Sequence, residues 1–251
     1  MTPLRARLAE VQLAVMLLTR LPAGRMAEAP AIGAAVWAFP LVGALVGGIA
    51  AAVLVGALAL GIAPPLAAGL ALAAAILATG GLHEDGLADC ADGFGGGRDR
   101  ARKLEIMRDS RIGSYGGLAM ILSLGFRWQA MAILAAHSPK LAACAMMALA
   151  ISSRSGLAFA LLWMPAARAD GMGKSAAGTT LTRALAGAVL AILGMAVLVG
   201  PQAAVLVLAT QIVVQTIFAR IALRQIGGQS GDVLGAMQQL AEVAGWLVLA
   251  R

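Results

Sequence analysis

The sequence predicts an all-α, polytopic integral membrane bundle, and three observations carry that assignment. Of 251 residues, 61% are hydrophobic and only 12% are charged, about half the usual charged share. A water-soluble domain of this size could not cover its surface with so few polar side chains. The apolar residues also fall into long runs of helix-spanning length, separated by proline and glycine breaks. Finally, five Phe, one Tyr and four Trp are too few for the aromatic girdles of a membrane β-barrel. Disorder and a disulfide-built scaffold are excluded, since aliphatic residues dominate and there are two cysteines.

Taken in order, residues 4–21 place Leu4, Leu8, Val11, Val15 and Leu18 at helical spacing. An amphipathic helix at the interface or tucked under the bundle is expected there. The first long apolar run covers 31–63 and contains a Gly43-x-x-x-Gly47 pair, a spacing that lets helices approach closely. A second covers 66–82. Further runs lie at 115–136, 139–164, 183–200, 202–223 and 233–250, which makes about seven spans, within a range of six to eight. The chain reads as a single membrane-embedded domain, 1–251, with one polar stretch at 83–114.

The net charge of +7 is read as a topology signal and not as a nucleic-acid footprint. Arg5, Arg7, Arg20, Arg25, Arg168, Lys174, Arg183 and Arg224 fall in one alternating set of connections. The connections at 62–65, 137–139 and 200–202 hold no Lys or Arg. The positive-inside rule then places the long connections, including the polar 83–114 segment, on the cytoplasmic side of the inner membrane.

Seven of the twelve acidic residues lie between Glu84 and Asp109. Asp85, Asp89 and Asp92 are spaced by four and three, so on a helix they form one narrow stripe of carboxylates. Their repulsion is relieved by a divalent cation, and hard oxygen ligands suit Mg²⁺ shared with substrate phosphates. Gly95 and Gly96, within Gly93-Phe94-Gly95-Gly96-Gly97, allow close backbone approach to a ligand. Arg108 and Arg111 alternate with acids, as around a phosphate site. His83 adjoins the stripe and can do acid–base or structural work. Arg154, within Ser152-Ser153-Arg154-Ser155, suggests a polar inward face inside a span. Gly171-Met172-Gly173-Lys174-Ser175 is not a P-loop, because Arg168 replaces its first glycine. Cys90 and Cys144 lack the spacing of a metal or disulfide pair.

The stretch Gly80-Gly81-Leu82-His83-Glu84-Asp85-Gly86-Leu87-Ala88-Asp89-Cys90-Ala91-Asp92-Gly93, followed by Lys103-Leu104-Glu105-Ile106-Met107-Arg108-Asp109-Ser110-Arg111-Ile112-Gly113, resembles the cobalamin synthase family, the adenosylcobinamide-GDP ribazoletransferases. Leu18–Pro22, Trp37–Gly43, Pro165–Gly173 and Gly227–Ala236 extend the likeness over nearly the whole chain. Glu84 and Cys90 stand where an apolar residue and a threonine are expected. The resemblance implies that adenosylcobinamide-GDP and α-ribazole, or its 5′-phosphate, are joined with release of GMP in a Mg²⁺-dependent step. It implies Asp85, Asp89 and Asp92 on the metal, Arg108 and Arg111 on the diphosphate, and Asp109 or His83 as proton acceptor. Ser110, Gly95, Gly96 and Arg154 complete the candidate substrate set. Partners implied are these substrates and the bilayer, with room for other corrin-assembly enzymes. A CDP-alcohol-type phosphotransferase fits less well, since only Asp89-x-x-Asp92-Gly93 matches its signature. A cation transporter would carry its carboxylates mid-span, where Glu242 stands alone.

Overall fold

A computed structural model describes residues 3–26, 28–168 and 178–251. Their regular structure is helical apart from one isolated bridge between Ala166 and Gln229. In chain order the helices are α1 (Pro3–Leu18), α2 (Ile32–Ala35), α3 (Phe39–Ala59), α4 (Pro64–Thr79), α5 (Leu82–Gly96), α6 (Arg100–Ile106) and α7 (Ser114–His137). They continue as α8 (Pro139–Ser155), α9 (Leu157–Trp163), α10 (Leu181–Val199), α11 (Pro201–Ile226) and α12 (Gly231–Leu249). A 3₁₀ turn, Val36–Ala38, joins α2 to α3.

Local chemistry sets these boundaries. Prolines occupy the first turn of α3, α4, α8 and α11, where the missing N–H costs nothing. Side chains of Asp99, Ser138, Thr180 and Ser230 cap α6, α8, α10 and α12 by accepting backbone N–H groups. Gly80 and Gly227 end α4 and α11 in the left-handed conformation.

Among the described residues, five helical segments are long and apolar enough to cross a membrane, and six if α4 and α5 count as one bent span. The seventh expected run forms α12, but Gln238, Gln239 and Glu242 lie buried on it, so it reads as the polar-lined centre of the bundle. α10 and α11 instead turn Leu185, Val189, Leu193, Val205 and Ile212 outward, as a lipid-facing surface requires. The small-residue pair is used: a methyl on Gly43 would lie 2.1 Å from the Ala150 carbonyl oxygen, and one on Gly47 2.7 Å from Met147 Cα. That contact seats α3 directly on the backbone of α8.

The expected N-terminal helix forms as α1, but its burial does not follow the apolar stripe Leu4, Leu8, Val11, Val15 and Leu18, since Glu10 and Ala14 are buried with Leu18. It is tucked against α3 through Ala14 and Leu18, while Leu4 and Leu8 stay exposed. Its buried Glu10 accepts hydrogen bonds from Trp37 Nε1 and Arg7, each at 2.6 Å. The long connections meet at one end of the bundle. There Arg20 N donates to the Ala78 carbonyl, Arg100 to that of Ala167, and Lys103 to Gln225.

Candidate active site

Gly80 and Gly81 both adopt positive φ, 68° and 70°, which a residue with a Cβ resists. The chain thereby turns 86° between α4 and α5. The acidic segment is consequently a helix and not a loop. At about 100° per residue, Asp85, Asp89 and Asp92 share one face of α5 and His83 takes the opposite one. The face lies among connecting segments, with Gly93 against Met107 and Gly86 against the backbone of Asp232.

The three aspartates are not equivalent. Asp92 is buried, and its carboxylate accepts the N–H of Gly113 at 2.7 Å and of Gly116 at 2.9 Å. It thus caps the start of α7. A methyl on Gly113 or Gly116 would fall 2.3 Å from its oxygens, so both glycines are needed for this cradle. Asp85 is exposed and Asp89 half-buried. The Asp89 carboxyl is pushed up to about 7, first by burial and then by the charges of Asp85, Asp232 and Asp92, against the opposing pull of Arg168.

Asp232 is the residue that reading the spacing alone did not find. It sits in the first turn of α12, where Gly86 allows α5 to touch it. Ser230 Oγ donates to it at 3.2 Å and Arg168 lies 3.5 Å away. Its only sequence signal was membership of the Gly227–Ala236 stretch. Burial raises its carboxyl too, with Arg168 and Ser230 partly offsetting.

Among the described residues, no group of three His, Cys, Asp or Glu side chains could by itself hold an ion. What α5 and α12 offer is a set of crowded hard-oxygen donors in Asp85, Asp89 and Asp232. That suits Mg²⁺, which is usually held by one or two carboxylates plus substrate phosphates. With Asp92 committed to backbone amides, an ion here would take one or two of these carboxylates and complete its shell with substrate oxygens.

Beside this face a pocket is lined by Asp92, Gly96, Asp109, Arg111, Ser114 and Tyr115. Arg111 pairs with Asp109 through Nη2 at 2.6 Å and Nε at 3.0 Å, and this holds the Asp109 carboxyl down at about 2. Arg108 and Ser110 are exposed next to it. Gly95 serves packing here, since a methyl on it would strike the ring of Tyr115 at 2.8 Å.

His83 and Arg154, grouped with the site from sequence, lie elsewhere. Both are 2% exposed and line an interior cavity with Glu84, Arg127 and Glu242. His83 Nε2, Glu84 Oε2 and Arg154 Nε have no protein partner there. The central connection quoted as Pro165–Gly173 is described only to Arg168, so Asp170 and Lys174 lie outside the described residues.

A helical membrane bundle presenting an acidic helix and arginines at one end defines a membrane-embedded enzyme acting on anionic substrates. The sequence pattern of the cobalamin-5-phosphate synthases matches residues 10–250, and the chain belongs to that family. It is a transferase of cobalamin biosynthesis. A protein of Bradyrhizobium diazoefficiens named adenosylcobinamide-GDP ribazoletransferase is 45% identical over 98% of this chain and 95% of its own. Proteins of the same name from Mesorhizobium japonicum and Azorhizobium caulinodans are each 44% identical, over 97% of this chain and 93% and 97% of theirs. No solved structure matches the chain.

Proposed function

We propose that the chain joins adenosylcobinamide-GDP to α-ribazole, or to its 5′-phosphate, giving adenosylcobalamin, or its 5′-phosphate, and GMP. The ribazole 3′-hydroxyl oxygen bonds to the phosphorus carrying the cobinamide arm. The bond from that phosphorus to the bridging oxygen breaks, GMP departs with that oxygen, and the hydroxyl proton passes to a base. Such a transfer asks a protein mainly for positioning and charge neutralisation.

The observation that carries this reading is the close approach of α5, at Gly86, to the backbone of Asp232 on α12, beside the Asp109–Arg111 pocket, with burial and the charges of Asp85 and Asp232 all raising the Asp89 carboxyl. Asp85, Asp89 and Asp232 would hold Mg²⁺, which when bound supplies positive charge opposite the diphosphate oxygens. Arg111, with Arg108 nearby, would neutralise the remaining phosphate charge. Of the two proton acceptors named from sequence, only Asp109 borders the pocket. Its pairing with Arg111 must loosen before it takes a proton. The substrate end of the bundle faces the cytoplasm in this reading, because the basic connections gather there.

The test is to supply membranes carrying the protein with adenosylcobinamide-GDP, with and without α-ribazole, and to follow GMP and the corrinoid product. Release of GMP should require both substrates and Mg²⁺, and chelation should abolish it. GMP formed without α-ribazole, or unaffected by chelation, would contradict the proposal.

A further inference from the structure

Glu84 is next to the acidic face in sequence but points away from it. It is buried, and its Oε1 accepts hydrogen bonds from Arg127 Nη1 at 2.9 Å and Gln239 Nε2 at 3.0 Å. Arg127, 2% exposed on α7, also donates Nη1 to Gln239 Oε1 at 2.8 Å and Nη2 to Glu242 Oε1 at 2.9 Å. Gln239 and Glu242 belong to α12. One guanidinium therefore ties α5, α7 and α12 together through two carboxylates. Ser123 Oγ adds a contact to Gln239 at 3.2 Å, which braces the junction from α7.

We propose that Glu84 is a positioning residue: its tie to Arg127 and Gln239 fixes the rotation of α5 about its axis and so aims Asp85 and Asp89 at Asp232. The proposal rests on the acidic face being the metal and diphosphate site. A helix turning as a rigid rod carries all its side chains round together, so one anchored residue sets the direction of its neighbours. Glu84 lies about 100° from Asp85, and the opposite end of α5 is anchored separately by Asp92 on the amides of Gly113 and Gly116. Two anchors at two levels leave α5 no free rotation. Glu84 supplies the one nearer Asp85, immediately after the Gly80–Gly81 bend. The charges of this interior cluster also balance, with Arg127 and Arg154 facing Glu84 and Glu242. An ion pair so placed costs desolvation, and a gain in geometric specificity is one return for it.

Cys90 gives a readout independent of turnover. It lies on the buried face of α5, 1% exposed, within the core cluster that includes Leu87 and Met107. In a Cys144→Ser background, the rate of N-ethylmaleimide labelling reports whether that face stays seated. The half-maximal Mg²⁺ concentration for turnover reports the aim of the carboxylates. Glu84→Leu should raise both by about tenfold or more, as for a local opening made easier by 1.4 kcal/mol. Glu84→Gln keeps an oxygen for both donors and should recover most of the wild-type behaviour in each. Met195→Ala, in the other core cluster, should lower the melting temperature while leaving both readouts in place.

Should Glu84→Leu fail to insert, Glu84→Leu/Arg127→Met removes the tie while leaving Arg154 and Glu242 balanced, and should show the same two changes. Wild-type labelling and Mg²⁺ requirement in whichever variant folds would overturn the proposal. So would equal changes in Met195→Ala, since general destabilisation would then account for them. Failure of the underlying reading looks different: Asp85→Asn would turn over normally, whatever Cys90 reports.

Discussion

The Asp92 carboxylate accepts the backbone N–H of Gly113 at 2.7 Å, where the chain turns into α7. With Gly116 on its other oxygen, Asp92 is a helix cap as much as a member of an acidic stripe. Asparagine would offer one oxygen and set its NH₂ against the second amide. Asp92→Asn should therefore cost about 1.5–3 kcal/mol of stability, the range for hydrogen bonds to a charged group. The Mg²⁺ requirement of the folded fraction should stay close to wild type. Thermal melts followed by tryptophan fluorescence, paired with Mg²⁺ titrations of turnover, measure both. A lost Mg²⁺ response with an unchanged melt would return Asp92 to the metal.

Arginine roles separate kinetically. Arg111 borders the pocket beside Asp92, whereas Arg98 is exposed on the connection between α5 and α6. Arg111→Gln should lower kcat/KM by roughly 10- to 100-fold, the loss of one charge-assisted contact. Arg98→Gln should change it little once insertion is verified. Small and equal losses in the two would reject the phosphate role of Arg111.

The crowding at Asp89 gives a pH prediction. Its folded carboxyl keeps a proton up to about pH 7, against 3.8 ordinarily. Between those values the folded state binds more protons than the unfolded one, so stability falls as pH rises through that window. Without Mg²⁺, the melting temperature should therefore decline from pH 5 to pH 8. Asp89→Asn should flatten that slope, and saturating Mg²⁺ should raise the upper end. A slope unchanged in Asp89→Asn would show that another group is responsible.

Composition and periodicity made the helical membrane bundle legible, and with it a close helix approach at Gly43 and Gly47, though not that α8 is the partner. The Asp85, Asp89 and Asp92 stripe was also readable, because helical spacing determines which side chains share a face. Two features were not. Asp232 reaches the site from far along the chain through the close contact at Gly86, and no local spacing encodes such a contact. The interior placement of His83 and Glu84 follows from the 86° bend at Gly80–Gly81 and the packing of α12, both tertiary facts, whereas the inward polar face expected around Arg154 is what the structure shows. The described residues hold five or six candidate spans, reaching the lower edge of the expected six to eight, and the seventh run, α12, pairs its polar residues inside the protein.

Topology can be tested by labelling single introduced cysteines in a cysteine-free background. Positions 98 and 224, both exposed, should report the cytoplasm and position 200 the opposite side, because the basic connections gather at the end where α5 lies. A periplasmic signal at 98 would reverse the orientation and cut the site off from soluble nucleotide substrates.

The most direct test of the account is the rate of GMP formation from adenosylcobinamide-GDP and α-ribazole by Asp85→Asn and Asp89→Asn at saturating Mg²⁺. Each substitution keeps the side chain's shape and removes a charge that the cation needs. Turnover should fall by orders of magnitude, while insertion is normal and stability holds or rises as carboxylate repulsion is relieved. If both variants keep more than about a third of wild-type turnover, a loss under roughly 0.7 kcal/mol, the acidic face of α5 is not the catalytic site.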